Sequence, residues 1–154
     1  MNVTLVPFGN ARIVDGKLTC QHGPDECTAN SYEQCAIDAY PDFATHYPFV
    51  DCMEGHGSSM IRFASSCAKS ANLDITVIEA CVNDPDKSFA LQQKFAGMTP
   101  SDHKYTPWVL VDDELSKSDG DKLLEEVCTA YKGTKPPGCK AVLDKKEKTC
   151  SAKW

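Results

Sequence analysis

Apolar positions along the chain fall into short β-like runs near residue 5 and residue 110, separated by a long middle where they recur at three- and four-residue steps. Val3-Thr4-Leu5-Val6, ended by Pro7 and followed by Gly9-Asn10, predicts a strand covered on at least one face. Residues 10–27 are polar and punctuated by Gly16, Gly23 and Pro24, which predicts an irregular loop. From Thr28 to Met98 the pattern is helical, in several short pieces. Thr28 caps the first, which carries Tyr32, Cys35, Ala36 and Ala39 and breaks at Pro41. Pro48 and the Gly55/Gly57 pair punctuate the next. Met60, Phe63, Ala64, Cys67 and Ala71 then form one buried helical face. Asp84-Pro85 joins an N-cap to a proline at the first helical position and leads into Phe89, Leu91 and Phe95.

Strand character returns at Pro107-Trp108-Val109-Leu110-Val111. Asp112-Asp113 reads as a two-residue turn into a short partner around Leu115. Ser118 with Asp121 three residues on resembles a capping box. It opens a helix bearing Leu123, Leu124, Val127, Cys128 and Tyr131, which Gly133 closes. Pro136-Pro137-Gly138 ends the packed domain, so residues 140–154, rich in lysine, read as a disordered tail. The fold class is therefore α/β, with a helical block between two strand regions and one domain over residues 1–139.

Charge and cysteine content narrow this picture. A net charge of −6 argues against nucleic acid or an anionic membrane as partner. No apolar run reaches the roughly 18 residues of a spanning helix, and no charged-then-apolar leader is visible. Nine cysteines in 154 residues, none in a C-x-x-C, point to structural bridges in an oxidising compartment. The eight from Cys20 to Cys139 (Cys20, Cys27, Cys35, Cys52, Cys67, Cys81, Cys128, Cys139) can close four bridges in any of 105 ways, leaving Cys150 as the odd thiol. Asn2-Val3-Thr4 is an N-glycosylation sequon. A zinc site built from Cys20, His22, Cys27 and Cys35 lacks tight paired spacing and would need unoxidised thiolates, so no metal and no cofactor is expected. His46, His56 and His103 read as surface or loop residues.

The densest chemistry is Cys20-Gln21-His22-Gly23-Pro24-Asp25-Glu26-Cys27, continuing through Asn30 to Cys35. Written C-Q-H-G-x-x-E-C-x-x-N-x-x-x-x-C, it resembles the signature of the gamma-interferon-inducible lysosomal thiol reductase (GILT) family. Met1 to Ala11, Val50 to Glu54, Tyr105 to Val109 and the helix around Cys128 resemble the same family. The resemblance implies a thioredoxin-like fold with an inserted helical block, a lysosomal or extracellular location, and reduction of disulfide-bonded protein substrates at acid pH. It also implies that Thr106 and Pro107, the latter cis, bind an extended substrate, with Trp108 in the core.

The family's active centre is a C-x-x-C at the start of the first helix, directly after the first strand, and these residues hold none. Val3 to Val6 matches the family's second strand, so the chain reads as N-terminally truncated, with first strand and catalytic helix missing. Val3 to Val6 is then expected either unpaired or paired directly with Trp108 to Val111. None of the nine cysteines replaces the missing nucleophile. A thiol of pKa about 8.5 is only roughly 0.03% thiolate at pH 5. Cys27 lies nearest a helix start, but Asp25 and Glu26 oppose its ionisation. Two functions follow: a GILT-like oxidoreductase whose dithiol lies outside this chain, or a redox-inactive secreted binding protein on the same disulfide-stapled fold.

Overall fold

The computed structural model describes residues 2–118, 120 and 122–151, with side chains to residue 144. The fold is mixed α/β and mostly helical. It has two compact units, Met1–His103 and Lys104–Trp154, where the sequence predicts one domain to residue 139.

The first unit opens with a hairpin, β1 (Arg12–Val14) and β2 (Lys17–Thr19), and continues as five helices. These are α1 (Pro24–Ala39), α2 (Phe43–Glu54), α3 (Met60–Ser70), α4 (Ile75–Val82) and α5 (Pro85–Met98), with a 3-10 turn, Gly57–Ser59, before α3. Helix α1 packs against each of the other four. It is accordingly buried on several sides, at Ala29, Ser31, Glu33, Gln34, Cys35 and Ala36. A helix surrounded in this way need not show an apolar stripe. The core around it is built from Phe49 and Met53 of α2, Ala64, Cys67 and Ala68 of α3, Ile78 and Cys81 of α4, and Leu91 and Phe95 of α5.

Several expectations are corrected here. Val3 to Val6 is not a strand and pairs with none among the described residues, the unpaired one of the two expected alternatives; Leu5 and Val6 are half-buried against the core. Residues 10–27 are not an irregular loop. Arg12↔Thr19, Ile13↔Leu18 and Val14↔Lys17 pair across a two-residue turn whose residues, Asp15 and Gly16, have φ of 50° and 73°. Both central positions of a type I′ turn need positive φ, which suits Asp-Gly. Helix α1 starts at Pro24 rather than Thr28, whose hydroxyl donates to the Pro24 carbonyl inside the first turn. Pro48 sits within α2, which forfeits one ladder bond there yet continues to Glu54, with Phe49, Val50 and Met53 buried. Phe63 is exposed and stacks on His56 instead of joining the buried face of α3.

Other signals hold. Asp84 caps α5, its carboxylate accepting from the amides of Asp86 (3.1 Å) and Lys87 (3.0 Å), and Pro85 occupies the first turn. Asp42 and Asp74 cap α2 and α4 in the same manner.

The second unit contains β3 (Leu110–Val111), β4 (Glu114–Leu115), α6 (Leu123–Ala130) and α7 (Pro137–Ser151). Asp112 and Asp113 form the predicted turn, at φ 55° and 65°. Strand β3 is shorter than predicted; the Ser116 amide, donating to the Val109 carbonyl, extends the ladder by one bond. Ser118 is not the N-cap of α6, which starts at Leu123, although its hydroxyl accepts from the Lys122 amide at 3.0 Å. Asp121 lies outside the described residues. Gly133 falls three residues past the last helical residue, Ala130. Residues 137–151, read as a domain end and unstructured tail, form α7 with Pro137 in its first turn. Trp154 and the Cys150 side chain lie outside the described residues.

Candidate functional site

The signature stretch builds the entry to α1. Gly23, the residue before the helix, has φ 98°, which a side chain resists. Pro24 supplies the fixed φ of a first helical residue. Asp25 and Glu26 then place negative charge in the first turn, where unpaired amides carry partial positive charge. The Glu26 carboxylate reaches back to accept the His22 amide at 2.5 Å, and lies 3.1 Å from His22 Nδ1. Cys27, one residue further, is bonded to Cys20, closing the loop beneath the helix start. Gln21 accepts from Asn10 Nδ2 at 2.7 Å, and Asn30 Nδ2 donates to the Phe8 carbonyl at 3.3 Å, fastening this entry to the preceding chain. The signature residues from Cys20 to Asn30 thus gather around the start of α1, while Cys35, further along the helix, is bridged to Cys81 of α4.

Behind the loop runs a buried polar network that sequence reading missed. Gln34 Nε2 donates to the Pro7 carbonyl (2.7 Å) and to Gln92 Oε1 (3.0 Å). Gln92 Nε2 donates to Ser31 Oγ (3.0 Å) and to the Cys27 carbonyl (3.2 Å). Glu33, only 2% exposed, lies on the same helix. Burial, reinforced by the Glu54 carboxylate beside it, holds its carboxyl well above the usual carboxylate range, and its Oε1 has no hydrogen-bond partner among the described residues. His46, expected on the surface, is buried, and its Nδ1 lies 2.8 Å from the Tyr40 carbonyl. Periodicity could not flag these groups, because polar and apolar residues share the buried faces of α1 and α5.

All eight cysteines from Cys20 to Cys139 are bridged: Cys20–Cys27, Cys35–Cys81, Cys52–Cys67 and Cys128–Cys139. The three sulfurs weighed for zinc are therefore oxidised and belong to two different bridges. Among the described side chains no free thiol faces the start of α1.

The predicted substrate-binding residues sit in the second unit. Thr106 and Pro107 are exposed and joined by a cis peptide bond. Trp108 is half-buried, its ring 4.9 Å from that of Tyr105 in an edge-on arrangement. Asn2, the sequon residue, is exposed in the first unit. No helix among the described residues is long and apolar enough to cross a membrane.

A family model described as gamma interferon inducible lysosomal thiol reductase (GILT) matches residues 1–71, which include the whole hairpin, the signature loop and α1. The chain is 36% identical over 160 residues to the gamma-interferon-inducible lysosomal thiol reductase of Mus musculus, an alignment covering 97% of this chain and 63% of that protein. It is 34% identical over 148 residues to the gamma-interferon-responsive lysosomal thiol protein of Arabidopsis thaliana, covering 90% of this chain and 60% of that one. The chain is similar to GILT-family proteins over nearly its whole length. It spans about three fifths of the length of these relatives. The two loop cysteines, Cys20 and Cys27, are bonded to each other at the start of α1.

Proposed function

We propose that these residues form the scaffold and substrate-facing part of a GILT-type thiol–disulfide oxidoreductase that reduces disulfide-bonded proteins in an acidic lysosomal or extracellular setting. The attacking dithiol comes from outside the 154 residues. In the complete reaction its thiolate attacks one sulfur of the substrate bridge and forms a mixed disulfide. The second thiol resolves it, releasing a reduced substrate and leaving the dithiol oxidised. Residues 1–139 are the family domain in this reading, and the exposed Thr106-Pro107 loop receives the extended substrate chain. Asn2, exposed at the start, is available for glycosylation.

The observation that carries the reading is the union of the family match with the bridging of all eight cysteines from Cys20 to Cys139. The scaffold is kept, and all eight sulfurs from Cys20 to Cys139 are engaged in holding it. The same set favours, as a second reading, a redox-inactive binding protein on this fold. Insulin reduction at pH 5 with a small-thiol donor tests both. The 154-residue chain alone is expected to give only the uncatalysed rate. A longer form that adds a strand and a C-x-x-C helix ahead of residue 1 is expected to turn over, and Thr106→Ala/Pro107→Ala in that form should raise KM. Reductase activity in the short chain would overturn the scaffold reading; an inactive longer form would leave the binding-protein reading standing.

A further inference from the structure

We propose that the Cys52–Cys67 bridge, once opened by a reductant, becomes with His56 a three-ligand site for a thiophilic closed-shell cation, zinc(II) being the ion argued here. Cys52 lies in the last turn of α2, Cys67 on α3, and His56 four residues after Cys52 in the connection between the helices. The Sγ atoms and an imidazole nitrogen all lie within 4.8 Å of one another. Two sulfurs and one nitrogen form the donor set that soft cations prefer over carboxylate or water.

The surroundings favour coordination once the sulfurs are free. The His56 ring stacks on Phe63 at 3.7 Å between centroids and 6° between planes, so its orientation is set before any metal arrives. The two Cα atoms stand 5.5 Å apart. Tetrahedral zinc, with Zn–S about 2.3 Å, needs the sulfurs about 3.8 Å apart. Rotation about the two Cα–Cβ bonds provides that separation with both helices in place. Cys67 is buried, Cys52 half-buried and His56 exposed, so the fourth position opens toward solvent and would hold water or an incoming ligand. Among the described residues no other bridge has a histidine nitrogen gathered with both of its sulfurs.

The chemistry balances with a phosphine or small-thiol reductant. A phosphine and one water convert the bridge into two thiols and a phosphine oxide. Zinc(II) then displaces the two thiol protons and takes the neutral imidazole as its third ligand. The site does not depend on the reductase reading, since it uses no residue of the substrate loop and no C-x-x-C.

Cobalt(II) is the probe. The full chain, treated with a phosphine under nitrogen at pH 7, is expected to bind one equivalent with thiolate-to-cobalt charge transfer and the visible bands of four-coordinate cobalt, both erased by zinc(II). The unreduced chain should show neither. Bound zinc should shield Cys52 and Cys67 from alkylation, as read by peptide mass spectrometry. His56→Ala should weaken cobalt binding at least tenfold and shift the visible bands, whereas Cys20→Ser/Cys27→Ser should leave the titration unchanged. Four results would overturn the proposal: wild-type affinity in His56→Ala, loss of the signal in Cys20→Ser/Cys27→Ser, shielding at other cysteines, or a reduced chain that binds no cobalt, with or without its helical circular dichroism.

Discussion

At the scale of single residues, Glu33 and Gly23 carry the sharpest consequences. Burial, and then the neighbouring Glu54, push the Glu33 pKa well above the usual carboxylate range. A carboxyl whose folded-state pKa lies above its unfolded value keeps a proton that the unfolded chain gives up as pH rises. Its contribution is pH-independent below the unfolded value near 4.5, and stability falls as pH climbs through the window above it. Thermal melts from pH 4.5 to 8 should therefore show declining midpoints, and Glu33→Gln should flatten that decline and raise the midpoint at neutral pH. An unchanged pH slope in the variant would remove Glu33 as its source. Gly23 is a different test, because a Cβ built there meets nothing within 4 Å. Gly23→Ala should therefore cost about 1–3 kcal/mol from backbone strain alone, read as a lower denaturation midpoint with unchanged helical signal.

At the scale of elements, the bridges set the order of importance among the helices. Cys35–Cys81 ties α1 to α4 across 46 residues, whereas Cys20–Cys27 closes only seven. Loop-closure entropy assigns about 4 kcal/mol to the first and about 2 kcal/mol to the second. Cys35→Ala/Cys81→Ala should accordingly lose roughly twice the stability of Cys20→Ala/Cys27→Ala in urea denaturation. The elements also show where sequence reading succeeds. Asp84-Pro85 and Asp112-Asp113 were legible because a cap and a tight turn are decided by a few neighbouring residues. The hairpin at Asp15-Gly16 was equally local, but its strands are three residues each and too short to show alternation. The sequence alone puts the start of α1 at Thr28 instead of Pro24 because Gly23-Pro24 looks like punctuation, while the bond that closes the loop, Cys20–Cys27, is one of many pairings a sequence allows. The Gln34–Gln92 contact joins residues 58 apart, beyond the reach of any local signal. In the site, pattern alone singles out the signature residues, but the gathering of Cys20 to Asn30 around the start of α1 emerges only from the fold.

At the scale of the whole molecule, the two units differ in self-sufficiency. The main core cluster, from Phe8 to Phe95, and three of the four bridges lie entirely within Met1–His103. A fragment of residues 1–103 should thus fold alone, with a cooperative melt and native helical circular dichroism. Residues 104–154 have two-residue strands and leave Leu110, Leu115, Leu123, Leu124 and Tyr131 exposed; that fragment should show no cooperative transition. A cooperative melt of the second fragment, or none of the first, would contradict this division.

The four bridges have one further property. They are sequential or nested, and no two cross: Cys52–Cys67 lies inside the span of Cys35–Cys81, with Cys20–Cys27 before it and Cys128–Cys139 after. A chain threading N-terminus first into an oxidising lumen therefore presents most cysteines to their mates in the order of arrival. Cys35 is the exception among these eight, since Cys52 and Cys67 both emerge before Cys81. Maturation should stall at that one sulfur, and a disulfide isomerase should speed its correct pairing more than any other.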